Sequence, residues 1–138
     1  MDTKFSVAVH ILILISEAPK ALTSDQMEQS AGTNASYIRK ILALLKRAGI
    51  VEGRRGVGGY VLRDAAKNLS LLEIYRAVMA ESDVHLLDIH QNSSDRCVVG
   101  RHIQPVLAGM FEEVETAFAR SLAEKTLADC IDGIRERI

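Results

Sequence analysis

A chain of 138 residues, 48% apolar and carrying a net charge of −1, suits one compact domain or a domain with an appendage. No apolar run approaches the ~18 residues that a membrane span needs. Two cysteines, Cys97 and Cys130, do not make a disulfide scaffold, so a reducing cytoplasm is the expected location. The near-neutrality conceals an asymmetry. Residues 34–63 hold seven basic side chains (Arg39, Lys40, Lys46, Arg47, Arg54, Arg55 and Arg63) against the single acid Glu52, a surplus of +6 that leaves −7 for the remainder. A concentrated basic patch is the electrostatic footprint of a phosphate-backbone binder.

The chain opens with a run that is apolar almost all round. Phe5, Ala8, Ile11, Leu12 and Ile15 fall at helical spacing, with Val7, Val9, Ile13 and Leu14 between them, so a first helix within residues 1–16 should lie deep in the core. Lys4 is its only basic flank, Asp2 offsets it, and no small-residue cleavage site follows, so a signal peptide is not expected. His10, inside this run, is read as a hydrogen-bonded or partly exposed histidine. Ala18, Pro19 and Lys20 break the chain. Thr23 then caps a second helix, with Gln26 three residues on as its reciprocal partner, and that helix should run to about Ser30.

A turn at Ala31-Gly32-Thr33 leads into the cationic helix. Ile38, Ile41, Leu42 and Leu45 form one apolar stripe, with Ala48 next in register, and Arg39, Lys40, Lys46 and Arg47 fall mostly off it. Asn34 or Ser36 can cap its start, and Gly49 suits the left-handed position after its last turn. The exposed first turn offers Ser36, Tyr37, Arg39 and Lys40, hydroxyl and cationic groups of the kind that reach phosphates and base edges. Taken alone, such a helix reads equally as a solvated charged face. Two short helices joined by a glycine-containing turn form the helix-turn-helix pattern.

Ile50-Val51 and Tyr60-Val61-Leu62 are β-prone and flank Arg54-Arg55-Gly56-Val57-Gly58-Gly59. The glycines open backbone angles that a hairpin turn needs, and Arg54 and Arg55 at its base can straddle a backbone or enter a minor groove. A cationic helix followed by a cationic hairpin is a winged helix-turn-helix, here assigned to residues 1–80 of a mainly α chain with one small β-hairpin.

Residues 63–68 are a polar connection. Ser70 and Glu73 form a second capping box that opens a helix to about Ala80, with Leu69, Leu72 and Ile74 expected on the first helix. Residues 81–100, with His85, His90, Cys97 and a polar stretch at 91–95, read as a loop or sensor segment. A long helix is expected from Arg101 to Glu124. Ile103, Leu107, Met110, Val114 and Ala117 recur in steps of four and three, Val106, Phe111, Phe118 and Leu122 widen the seam, and Pro105 should fall in the first turn. So wide a seam wants a partner, and DNA-reading domains commonly use two copies to reach two half-sites. Residues 101–138 are therefore expected to be a helical dimerisation region. A last helix with Leu127, Ile131, Ile134 and Ile138 should cover the long helix or add to the dimer contact.

Three stretches together resemble the Rrf2 family of bacterial winged-helix transcriptional regulators. They are Tyr37-Ile38, Ile41-Leu42 and Leu45 running on to Ala48-Gly49-Ile50-Val51; Arg55-Gly56, Gly58-Gly59-Tyr60 and Leu62; and Leu69-Ser70-Leu71 with Glu73-Ile74. The segment from Cys97 to Val106 is most similar to the YwnA-like subgroup. The resemblance implies a sequence-specific regulator of the repressor type, a homodimer on partly palindromic promoter DNA. The helix from Ser36 would lie in the major groove, and the wing at residues 54–60, with Gly58 and Gly59, at the adjacent minor groove. Members that bind an iron–sulfur cluster carry three closely spaced cysteines before the long helix. Here Cys97 is the only one, so neither a cluster nor any other cofactor is expected. His90, Cys97 and His102 meet no standard zinc spacing. Cys97 is a candidate redox sensor, because Arg96, Arg101 and the start of a helix all favour a thiolate; an inert cysteine is the alternative, and Cys130 reads as packing. A small-molecule or redox effector is the expected signal. No nucleophile–base–acid set appears, and the hairpin glycines lack the Lys-Ser/Thr that completes a phosphate loop, so an enzyme is not expected. The competing reading is a winged-helix protein–protein interaction module that binds no DNA.

Overall fold

The computed structural model describes residues 2–54, 58–79 and 84–138. Its element order is α1 (Lys4–Glu17), α2 (Ser24–Ala31), α3 (Ala35–Arg47), β1 (Val51–Arg54), β2 (Gly59–Leu62), a 3-10 turn (Ala66–Asn68), α4 (Leu71–Met79), α5 (Val98–Ala123) and α6 (Leu127–Arg135). It is a helical fold with one antiparallel hairpin, the winged helix-turn-helix architecture expected from the sequence.

The core forms where the apolar stripes meet. Ala8, Ile11, Leu12 and Ile15 of α1 face Met27 of α2, Ile38, Ile41, Leu42 and Leu45 of α3, and Ile74 and Val78 of α4. Most of these side chains are wholly removed from water, and each fully buried aliphatic stabilises the fold by about 1.5–3 kcal/mol. Leu69 and Ile74 join this core as expected, whereas Leu72 is half-buried outside it. The capping signals act locally. Thr23 Oγ1 accepts from Gln26 N–H while Gln26 Oε1 accepts from Thr23 N–H. Asn34, rather than Ser36, caps α3 by accepting from Tyr37 N–H at 2.8 Å. Ala48 ends α3 as an exposed residue instead of extending its buried stripe. Gly49 follows at φ 78°, letting Ile50 N–H return to Leu45 C=O at 2.9 Å and turning the chain into β1.

In the hairpin Val51 pairs with Leu62 and Arg54 with Gly59. A third backbone edge completes the small sheet: Leu22, in the α1–α2 connection, bridges Tyr60, whose N–H donates to Leu22 C=O at 2.9 Å.

The second half of the chain departs from its sequence reading in three places. The long helix starts at Val98, not Arg101, because Cys97 is extended and its carbonyl takes the first helical bond from Arg101 N–H at 2.9 Å. Pro105 therefore lies inside the helix, not in its first turn, and its ring removes the bond that would reach the carbonyl of Arg101. The last helix neither covers α5 nor stands apart. Leu127 and Ile131 are buried in the core of the N-terminal helices. Reciprocal backbone bonds, Leu71 N–H to Lys125 C=O and Leu127 N–H to Leu69 C=O, both 2.9 Å, fix the start of α6 to the start of α4. Arg135 closes it onto α1 through a two-pronged contact with Glu17. By contrast α5, 26 residues long, buries none of its side chains fully. Tyr75 links it to the core, meeting Phe5 of α1 and Phe118 of α5 edge-on with ring centroids 5.5 and 5.6 Å apart.

Candidate nucleic-acid interface

Burying Ile38, Ile41, Leu42 and Leu45 turns the opposite face of α3 to solvent. That face carries Ser36, Arg39, Lys40, Lys46 and Arg47, all exposed. Tyr37 does not belong to it wholly: the ring is half-buried against the core. Arg39 reaches across to α2, its guanidinium donating to Ser24 Oγ at 3.4 Å, a contact that spacing within α3 could not reveal. Arg54 is exposed at the end of β1 and lines a cleft shared with Lys20 of the α1–α2 connection. Lys20 is a cation that the sequence reading passed over, because only the Leu22–Tyr60 bridge brings that connection to the hairpin. Gly58 is exposed at φ 66°. Gly59 is buried, and its role is close approach: a Cβ there would stand 2.7 Å from Ala21 Cβ. Arg55 lies outside the described residues. Arg63 is exposed, with its guanidinium over Gly49.

Among the described residues, none of these cations has a carboxylate partner. The ion pairs among the described residues are Lys4–Asp2, His85 with Asp88 and Glu115, and Arg135–Glu17, all away from α3 and the hairpin. Unpaired exposed cations keep their charge available for a polyanion.

Cys97 is exposed at the N-terminus of α5. Its thiol makes no capping hydrogen bond, yet the N–H groups of Gly100 and Val99 face it and lower its pKa. The expected help from Arg101 is absent, since that guanidinium donates to Asp95 C=O at 3.1 Å. Cys130 is half-buried, and burial raises its thiol pKa. His10 bonds Ser30 Oγ at 3.0 Å, as a partly exposed histidine should.

No local pattern foretells what holds residues 84–97 along α5. Glu115 accepts from the N–H groups of Leu86 and Leu87, and its carboxyl is held below the ordinary range mainly by those two bonds. His85 lies 2.6 Å from Asp88 and 3.7 Å from Glu115. Gln104 donates to His90 C=O and Ser93 to Gly100 C=O. Apart from His85 and Asp88, which are three residues apart, these partners stand 7 to 30 residues apart, too far for short-range spacing to show.

Residues 1–133 match the profile of the Rrf2 family, described as iron-dependent transcriptional regulators. The chain is similar to the proposed HTH-type transcriptional regulator YwnA of Bacillus subtilis, 38% identical over 134 residues that cover 97% of this chain and 98% of that protein. Two crystal structures share the fold. A proposed DNA-binding protein matches with 38% identity and a TM-score of 0.76, over 93% of this chain and 98% of its own. A proposed transcriptional regulator from Lactobacillus plantarum matches with 25% identity and a TM-score of 0.79, over 98% and 91%. The residues present do not fit the iron of the family description. Among the described residues no three His, Cys, Asp or Glu side chains converge as a metal site, and the one thiol ahead of α5 is Cys97.

Proposed function

Because the chain belongs to the Rrf2 family of transcriptional regulators, we propose that it binds duplex promoter DNA as a homodimer and represses transcription. The observation that carries the reading is the unpaired cationic face of α3. Arg39 and Lys40 would contact the major groove with Ser36 beside them, while Lys46 and Arg47 extend the charge toward the flanking backbone. Arg54, with Gly58 and Gly59 shaping the turn and Arg55 next to it in sequence, would follow the neighbouring minor groove.

The second copy is argued from α5. Val98, Val99, Val106, Met110 and Val114 are 50–69% exposed along it, a contiguous apolar face of the kind that soluble monomers seldom leave open. Residues 1–80, with α6 packed back on them, would read DNA, residues 84–97 would carry the signal, and α5 would join the copies. Cys97 is the redox candidate within that segment, since a thiolate is the reactive form.

The test is fluorescence anisotropy with duplexes selected from random DNA. Affinity should fall steeply with salt, because each phosphate contact releases counterions. Arg39→Ala and Arg54→Ala should each weaken binding and lower the salt slope by about 1, with the oligomeric state unchanged. No DNA binding at low salt, with an acidic protein taken up instead, would favour the protein-interaction module. Alkylating Cys97 should change operator affinity in the parent and not in Cys97→Ser; an unchanged parent removes the redox role.

A further inference from the structure

Between α4, the extended segment and α5 lies a cleft of about 520 Å³, within the size range of small-ligand sites. Arg76 of α4, His85 of the extended segment, and Glu112, Glu115 and Thr116 of α5 line it. Two of these groups are already committed. Glu115 takes the N–H groups of Leu86 and Leu87, and His85 sits between Asp88 and Glu115. Arg76 and Glu112 are exposed and, among the described residues, neither has an ion pair or a side-chain hydrogen bond. One uncommitted guanidinium and one uncommitted carboxylate therefore border the same cleft, with the Thr116 hydroxyl beside them.

We propose that this cleft binds a small zwitterion carrying a carboxylate and an ammonium group, an α-amino acid or a close analogue. Arg76 takes the carboxylate through its two-pronged donor face, and Glu112 takes the ammonium. A purely anionic ligand would meet Glu112 and Glu115, and a purely cationic one would meet Arg76, so a molecule with both charges fits best. The site touches both halves of the molecule. Ile74 and Val78, flanking Arg76 in α4, are packed in the core with α3, while Glu112 and Thr116 stand on the helix assigned to dimerisation. A ligand bridging α4 and α5 stabilises one relative setting of the two and so shifts the DNA-binding population. This regulatory consequence rests on the DNA-binding reading above; occupancy of the cleft does not.

Isothermal titration calorimetry of the full chain with a panel of free α-amino acids tests the site directly. Matched primary amines and simple carboxylic acids serve as controls. At least one amino acid should bind saturably while its amine and acid counterparts do not. Arg76→Gln and Glu112→Gln should each weaken that binding about tenfold or more, the usual scale for removing a hydrogen bond to a charged group. Both side chains are exposed, so thermal melting should show the fold intact. If no amino acid binds at millimolar concentration, or binding survives both substitutions, the proposal is overturned. Operator affinity measured with the bound amino acid should change in the parent and not in Arg76→Gln. Binding seen by calorimetry in a protein that never takes up DNA would support the site and remove the regulator reading instead.

Discussion

Gly59 of the hairpin backs directly onto Ala21, so that a Cβ on Gly59 would lie 2.7 Å from Ala21 Cβ and 2.8 Å from the Ala21 carbonyl carbon. The next residue, Tyr60, bonds Leu22. Wing and α1–α2 connection are thus fixed to each other by contact and by backbone pairing at adjacent positions.

Gly59→Ala should force β2 away from that edge. Overpacking of this kind costs about 1–3 kcal/mol, measured as a lower urea midpoint. Because the wing would be displaced, DNA affinity should fall as well, and more than for Gly53→Ala, where a Cβ meets nothing within 4 Å.

Leu127→Ala should destabilise the whole protein rather than a detached C-terminal helix. Leu127 is fully buried among the N-terminal helices, and a Leu-to-Ala change at such a site costs about 2–5 kcal/mol. Chemical denaturation followed by circular dichroism should show one cooperative transition at lower denaturant. A separate early step would contradict the shared core.

Met110→Glu combined with Val114→Glu should separate the copies. Both residues are more than half exposed, so the substitutions leave the packing of the chain itself untouched. Light scattering should give a mass near the 15.1 kDa of one chain, against twice that for the parent. A parent that is already monomeric would remove the dimer proposal.

Acid should release the extended segment from α5. The folded pKa of Glu115 is depressed, chiefly by the N–H of Leu86 and then of Leu87. Its contribution is therefore complete above the ordinary glutamate pKa, about 4.3, and is lost as pH falls through the folded value. The amide shifts of Leu86 and Leu87 should titrate in that acidic window, and Glu115→Gln should flatten the titration.

What the sequence made legible was local or periodic. Helix spacing located the buried stripe of α3 and, by subtraction, its cationic face. The Thr23–Gln26 pair located the start of α2 to the residue, and Gly49 the turn after α3. What it left hidden was long-range. Lys20 joins Arg54 only through a bridge from Leu22 to Tyr60, and Arg76 and Glu112 come to line one cleft only once α4 and α5 are packed. Sequence pattern starts α5 three residues late because Val98, Val99 and Gly100 are weak helix formers on propensity alone. The destination of α6 was open because Leu127 and Ile131 make the same pattern whichever surface they cover.

The long helix is held near both ends. At one, the Asp95 carbonyl and the Ser93 hydroxyl tie residues 101 and 100 to the incoming extended segment; at the other, α6 turns back and plants Leu127 in the core. Twenty-six residues of helix span about 39 Å. A rod moored this way has no free end to swing, so a push delivered beside Cys97 must bend it, slide it, or be felt where Leu127 meets α1.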